Sequence, residues 1–152
     1  SMFETFYLQT IFNSPIFILK KELLLIPIFG WYLKKIGSIS IQRDKITKDN
    51  LGFFEDISKK ISNSDQPLII FPQGTRVAPK AHAPYKIGSG ILFSELNQDC
   101  VPVATNVGVI WPRRGILRKS GLAIIEFLPR IESGLDTKGF MKLIENINIP
   151  NI

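Results

Sequence analysis

The sequence has very few of the side chains that bind metals or act as nucleophiles. Its 152 residues include one cysteine, Cys100, and one histidine, His82. A single cysteine excludes a disulfide framework. One cysteine and one histidine also argue against a zinc site, because structural zinc takes about four such ligands. A Ser–His–Asp triad would depend entirely on His82. Each of these chemistries would therefore rest on one or two residues.

Long apolar runs and export signals are also missing. The longest apolar run, residues 23–33, is interrupted by Pro27 and Gly30, and it is shorter than the roughly 20 residues that a membrane-spanning helix needs. The N-terminus shows no basic stretch followed by an apolar one, so we expect no secretory signal. With a single thiol, the expected compartment is reducing and intracellular.

The composition is that of a folded, basic protein. The chain is 45% hydrophobic, contains 11 phenylalanines and carries a net charge of +6, which predicts one folded domain over residues 1–152 rather than disorder. The charge is +3 over residues 1–76 and +3 over residues 77–152, so no basic tail suggests a nucleic-acid-binding arm. Apart from solubility, such a surface suits phosphorylated small molecules, anionic lipid or an acidic carrier protein.

Hydrophobic patterning predicts strands that alternate with helices. Short apolar runs predict strands at residues 15–19, 38–41, 67–71, 101–107 and 122–128. Helical spacing or composition predicts helices at residues 3–12, 20–36, 51–61, 87–96 and 138–147, with the helix at 20–36 interrupted at Pro27 and Gly30. This alternation predicts an α/β fold with a largely parallel or mixed central sheet flanked by helices.

The segment 20–36 has two interpretations, and both can hold. In the first, its aliphatic residues belong to the core: Leu23, Leu24, Ile28 and Leu33. In the second, Pro27 and the aromatic residues lie in a bilayer interface, flanked by lysine pairs. This second set is Pro27, Phe29, Trp31 and Tyr32.

The most informative segment is FPQGTR at residues 71–76. It places a turn directly after an apolar strand, at the position where open α/β sheets bind ligands. Gly74 lets a ligand approach the backbone closely, Thr75 can donate a hydrogen bond, and Arg76 can bind a phosphate through two N–H groups. From these residues alone, a purely structural turn is the commoner interpretation.

FPQGTR resembles the F-P-E-G-T-R motif of the glycerophospholipid acyltransferase family, which includes the 1-acylglycerol-3-phosphate acyltransferases. Four further segments resemble blocks of that family in the same order. They are KKEL with IPIFGW at residues 20–31, GSISIQR at 37–43, YKIG at 85–88 and VPV at 101–103. The resemblance covers nearly the whole chain.

The resemblance implies acyl transfer from acyl-CoA or acyl carrier protein to the free hydroxyl of 1-acylglycerol 3-phosphate. The product would be phosphatidic acid, made in phospholipid biosynthesis, and neither a metal nor another cofactor is implied. Arg43, Gly74 and Arg76 match positions that bind the glycerol phosphate, and two guanidinium groups suit a dianion. We assign Gln73 and Thr75 of the same loop to the phosphate site as well.

Two blocks depart from the family pattern. In the family's H-x-x-x-x-D block, a histidine is the general base and the acid orients it. Glu4 stands at the position of the acid, so the histidine would fall just before Ser1. We therefore expect a single acyltransferase domain that lacks its N-terminal segment and is inactive without that histidine. Gln73 replaces the usual glutamate, which keeps the hydrogen-bonding shape and removes the charge.

The expected location is the cytoplasmic face of a membrane, where the protein is held peripherally or by an apolar N-terminal segment.

Other candidate residues and functions have less support in the sequence. His82 could replace the missing base, but it lies in a Pro/Ala loop with no acid nearby, and we assign it no catalytic role. Cys100 is assigned to packing. A non-catalytic lipid- or phosphate-binding module would explain the retained phosphate residues and the missing histidine together, whereas no motif supports nucleic-acid binding.

Overall fold

The computed structural model describes residues 2–41, 51–75, 77, 81, 83–111 and 118–147. They fall into two units, Met2–Phe71 and Pro72–Ile152. The first unit contains a parallel three-stranded sheet and the second an antiparallel pair of strands, each unit with its own helices. The predicted α/β class, a parallel sheet flanked by helices, is confirmed.

The first unit alternates helices and strands. Its helices are α1 (Met2–Ile11), a 3₁₀ helix (Lys21–Leu25), α2 (Phe29–Lys35) and α3 (Leu51–Ser62). Its strands are β1 (Ile16–Lys20), β2 (Ile39–Ile41) and β3 (Leu68–Ile69). The strands lie in the order β2-β1-β3 and all run in the same direction. Because parallel strands need a crossover between them, α2 joins β1 to β2 and α3 lies between β2 and β3.

Burial in the first unit is greatest on the central strand and on one face of α3. Ile16 and Phe17 of β1 are 2% and 0% exposed, as expected for a central strand of a parallel sheet. Phe54, Ile57 and Ile61 of α3 are all buried. Their spacing of three and four residues places them on one side of the helix, which confirms the face predicted from the sequence.

The second unit contains three helices and two strands in the described residues. They are α4 (Gly88–Leu96), β4 (Val103–Thr105), α5 (Val107–Ile110), β5 (Ile125–Phe127) and α6 (Thr137–Glu145). The two strands pair antiparallel, with Val103 opposite Phe127. Helices α4 and α6 pack through the rings of Phe93 and Phe140, whose centroids lie 4.1 Å apart.

Cys100 packs against the cluster formed by Phe93, Ile131 and Phe140. Burial raises the pKa of its thiol, because an apolar environment disfavours the charged thiolate. A thiol that stays protonated is a poor nucleophile. The packing role predicted for Cys100 is confirmed.

Two predictions from the sequence need correction. The interruption predicted at Pro27 is confirmed, because a turn there separates the 3₁₀ helix from α2, whereas Gly30 lies inside α2. Ile28 in that turn is 85% exposed. Its assignment to the core was wrong, whereas Leu33 is fully buried as predicted. The strand predicted at residues 101–107 ends at Thr105, and Val107 begins α5.

Candidate functional site

The predicted phosphate-binding segments both follow strands of the parallel sheet. Arg43 comes two residues after β2, and FPQGTR begins two residues after β3. Because β2 and β3 run in the same direction on either side of β1, their carboxyl ends lie at the same edge of the sheet. This edge is where open α/β sheets bind ligands. Arg43 and Arg76 themselves lie outside the described residues, so their roles remain predictions.

The loop after β3 has a defined backbone. Gly74 adopts a φ of 65°, a left-handed conformation that glycine adopts at little cost. Gln73 and Gly74 are half-buried, and Thr75 is exposed. At the start of the loop, the carbonyl of Pro72 accepts a hydrogen bond of 2.8 Å from the backbone N–H of Lys86. The predicted binding loop is therefore fixed to the segment that precedes α4.

Lys86 is a candidate that the sequence did not single out for binding. Its carbonyl accepts hydrogen bonds from the hydroxyl and the backbone N–H of Ser89, at 2.8 and 3.1 Å. Its own N–H donates the hydrogen bond to the carbonyl of Pro72. The backbone that carries the exposed ammonium group of Lys86 therefore adjoins the loop. The signal in the sequence is the YKIG block, which contains this lysine.

Glu4 lies in the first turn of α1 and is buried, with 9% of its surface exposed. The neighbouring Thr5 is 3% exposed. Glutamates are seldom this buried unless their carboxylate is held by a partner. The first turn of a helix also stabilises a negative charge, because the helix dipole is positive there. Glu4 is therefore not a solvated surface glutamate, and its role in catalysis remains a prediction.

The structure places these candidates in both units. Glu4 belongs to the first unit, and Gln73, Gly74 and Thr75 belong to the second. His82 lies outside the described residues. The assignment of Glu4, Arg43, Gln73, Gly74, Thr75 and Arg76 to one site remains a prediction.

A groove of about 990 Å³ in the first unit lies elsewhere. Its lining includes Ser14, Gly37 and Gln66, each of which stands two residues before a strand. The groove is therefore at the amino ends of the strands, opposite the edge where Arg43 and FPQGTR follow. None of the described site candidates lines it. Separately, no helix in the described part of the chain is long and apolar enough to cross a bilayer.

Comparison with known proteins agrees with the family that the sequence motifs indicate. The fold is that of an α/β protein with a parallel sheet, and the family model described as Acyltransferase matches residues 1–106. The chain therefore belongs to the acyltransferase family, which confirms the family inferred from its motifs. No solved structure matches it.

Three curated relatives carry the name 1-acyl-sn-glycerol-3-phosphate acyltransferase. The protein from Pseudomonas aeruginosa is 32% identical over 123 residues, which are 80% of this chain and 47% of the relative. The protein from Helicobacter pylori is 31% identical over 105 residues, 68% of this chain and 44% of the relative. The protein from Streptococcus pneumoniae is 38% identical over 61 residues, 40% of this chain and 22% of the relative. The chain thus spans less than half the length of each.

Proposed function

We propose that this protein transfers an acyl group from acyl-CoA or acyl carrier protein to the free hydroxyl of 1-acylglycerol 3-phosphate. The product is phosphatidic acid, an intermediate of phospholipid biosynthesis. The observation that carries the proposal is the FPQGTR loop with Gly74 in its left-handed conformation, within a match to the Acyltransferase family. The printed names of the three relatives support the choice of substrate.

The proposed reaction is a direct attack on a thioester. The acceptor hydroxyl loses its proton to a general base as its oxygen bonds to the thioester carbonyl carbon. The carbon–sulfur bond then breaks, and the thiolate takes up a proton. The pKa of the hydroxyl is far above neutral, so a positioned base contributes about 10²–10⁴-fold. In the family pattern this base is a histidine five residues before Glu4, and Glu4 orients it. The burial of Glu4 supports that positioning role.

The phosphate of the acceptor is bound, in this proposal, by Arg43 and Arg76 together with the loop residues Gln73, Gly74 and Thr75. Support comes from the strands: β2 and β3 end at one edge of the sheet, and each is followed in sequence by one of the two arginines. Arginine keeps its charge and offers paired donors to phosphate oxygens. Gln73 can donate a hydrogen bond without the repulsion that a carboxylate would exert on a phosphate.

The protein works, in this proposal, at the cytoplasmic face of a membrane, where its lipid substrate resides. Besides the lysophospholipid, its partners are the acyl donor and the membrane surface, and no metal or further cofactor takes part. The net charge of +6 supports these partners, because acyl-CoA, acyl carrier protein and anionic lipid are all negatively charged.

The function is tested by release of free thiol from acyl-CoA in the presence of lysophosphatidate. Adding His-Asn before Ser1 places a histidine five residues ahead of Glu4 and completes H-x-x-x-x-E. Ala-Asn at the same position is the matched control. We expect the 152-residue chain and the alanine control to bind lysophosphatidate with little turnover, and the histidine version to turn over about 10²-fold faster or more.

Two outcomes would change the proposal. Robust turnover by the 152-residue chain would mean that another base acts, and His82 would be the first residue to replace. Lysophosphatidate binding without turnover in every version, with either acyl donor, would favour the second candidate, a non-catalytic lipid- or phosphate-binding module. That candidate rests on the phosphate-binding residues predicted in the FPQGTR loop, which it would use without acyl transfer.

A further inference from the structure

The turn between the 3₁₀ helix and α2 has an unusual backbone. Ile28 adopts φ 66° and ψ −55°, and the N–H of Phe29 donates a hydrogen bond of 2.7 Å to the carbonyl of Pro27. These features define a classic γ-turn, which is rare and strained. A positive φ is especially unfavourable for a β-branched residue such as isoleucine. Strain of this kind persists only where the surrounding structure imposes it, and it often marks function.

The surroundings of the turn impose this conformation. The carbonyl oxygen of Leu24 approaches Gly30 so closely that a Cβ at Gly30 would lie 2.1 Å from it. The N–H of Gly30 also donates a 2.7 Å hydrogen bond to the carbonyl of Ile26. The start of α2 is thus pressed against the 3₁₀ helix, and Pro27 restricts the chain between them. The turn is held tight, and Ile28 is directed outward.

Three large apolar side chains around this turn are strongly exposed, and we call them the apolar tip. Leu25 is 80% exposed, Ile28 85% and Trp31 65%. Phe6 on α1 is 45% exposed and continues the surface, because its ring contacts those of Phe29 and Tyr32 at 6.0 and 5.5 Å between centroids. Clustered apolar exposure of this kind marks an interaction surface. Because Ile28 is so exposed, packing of its side chain within the first unit does not offset the strain in its backbone.

The charges around the apolar tip indicate what it contacts. Lys21, Lys34 and Lys35 are exposed, and the ammonium of Lys35 lies 5.0 Å from the ring centre of Trp31. Residues 20–36 contain four lysines and one acidic residue, Glu22, which gives a net charge of +3. Apolar and aromatic side chains ringed by lysines are typical of segments that lie in the interface of an anionic bilayer.

The apolar tip belongs to the crossover that joins β1 to β2. The 3₁₀ helix begins directly after β1 ends and contacts both β1 and β2. Helix α2 then leads the chain to β2, and Trp31 also lines the groove at the amino ends of the strands. The tip is thus attached on both sides to the parallel sheet of the first unit.

We propose that the apolar tip inserts into the interface of an anionic phospholipid bilayer and holds the first unit against the membrane. The inference rests on the proposed function, since it is a lipid substrate that this arrangement serves. A lysophospholipid could then reach the protein while its acyl chain remains among the lipids. Burying Ile28 in lipid supplies the favourable contact that its strained backbone lacks in water.

Vesicle sedimentation tests the proposal without substrate or turnover. The probes are vesicles of phosphatidylcholine alone and of phosphatidylcholine with phosphatidylglycerol. We expect binding to the anionic vesicles, weakened by salt, and about tenfold weaker partition for Ile28→Gly, which removes one large apolar side chain. Ile28→Asp should weaken partition further. Leu122→Asp, at a side chain 75% exposed in the second unit, is the matched control and should bind like the wild type.

Thermal unfolding separates membrane binding from folding. Glycine accepts a positive φ, so Ile28→Gly should unfold at a higher temperature than the wild type while binding vesicles less well. Opposite signs in these two measurements cannot come from damage to the fold.

Trp31 reports insertion directly. The chain has two tryptophans, so Trp111→Phe leaves Trp31 as the only one. Its emission should shift to shorter wavelength with anionic vesicles and be quenched by brominated lipids.

The proposal fails if the wild type ignores anionic vesicles or if both Ile28 variants bind them like Leu122→Asp. It also fails if Ile28→Asp only dissociates a dimer, which would assign the apolar tip to a second copy of the chain. Because the vesicles contain no lysophosphatidate, each of these results leaves the thiol-release assay to judge the acyltransferase proposal independently.

Discussion

Replacing Gly30 with alanine tests the packing that shapes the turn before α2. The new Cβ would lie 2.1 Å from the carbonyl oxygen of Leu24 and 2.5 Å from its carbon, whereas an ordinary contact is at least 3.4 Å. The atoms it meets are backbone atoms, so no side-chain rotation can relieve the overlap. Overpacking costs about 1–3 kcal/mol, and a clash with fixed backbone belongs near the upper limit.

The expected loss of stability is therefore about 2 kcal/mol, because alanine in a helix returns up to about 1 kcal/mol relative to glycine. For a chain of about this size, each kcal/mol lowers Tm by about 2–4 °C. Gly30→Ala should thus lower Tm by about 4–8 °C. The matched control is Gly52→Ala in α3, where a Cβ meets nothing within 4 Å. That variant should gain about 0.4–1 kcal/mol.

Thermal and urea unfolding followed by circular dichroism measure both changes. The two variants make the same chemical replacement in helices of the same unit, so the difference between them reports the contact with Leu24. A Gly30→Ala protein as stable as Gly52→Ala would refute the reasoning. The close approach of α2 to the 3₁₀ helix would then be wrong, and with it the strain assigned to Ile28.

Two further predictions concern the second unit. Gly74→Ala forces alanine into a left-handed conformation and should weaken lysophosphatidate binding about five- to thirtyfold, since αL costs an L-residue about 1–2 kcal/mol. Gly37→Ala, at φ 74° with open space around it, carries similar strain and should leave binding unchanged. Calorimetry measures the binding of both variants. The backbone N–H of Ser133 and the guanidinium of Arg130 lower the pKa of Asp99 below its ordinary 3.8. A lowered pKa contributes stability above the unfolded value that is lost as pH falls through the folded one, so Asp99→Asn should lower Tm at pH 7 and make little difference near pH 2. An equal effect at both pH values would contradict the second prediction.

Local pattern in the sequence determined the elements and the family. The three- and four-residue spacing of Phe54, Ile57 and Ile61 was enough to predict the buried face of α3, because helical geometry places such residues side by side whatever they pack against. The FPQGTR segment likewise identified the family, since a short motif can be recognised without knowledge of the fold.

Tertiary structure decided what depends on partners distant in the chain. Ile28 has the apolar side chain of a typical core residue. Its side chain faces outward because of the γ-turn, which the approach of Gly30 to Leu24 imposes. The anchoring of Pro72 by Lys86 joins segments 14 residues apart. No periodicity encodes either contact, because each arises only when separate elements pack. The sequence therefore predicts which residues could bind a phosphate, and packing determined that Ile28 faces outward.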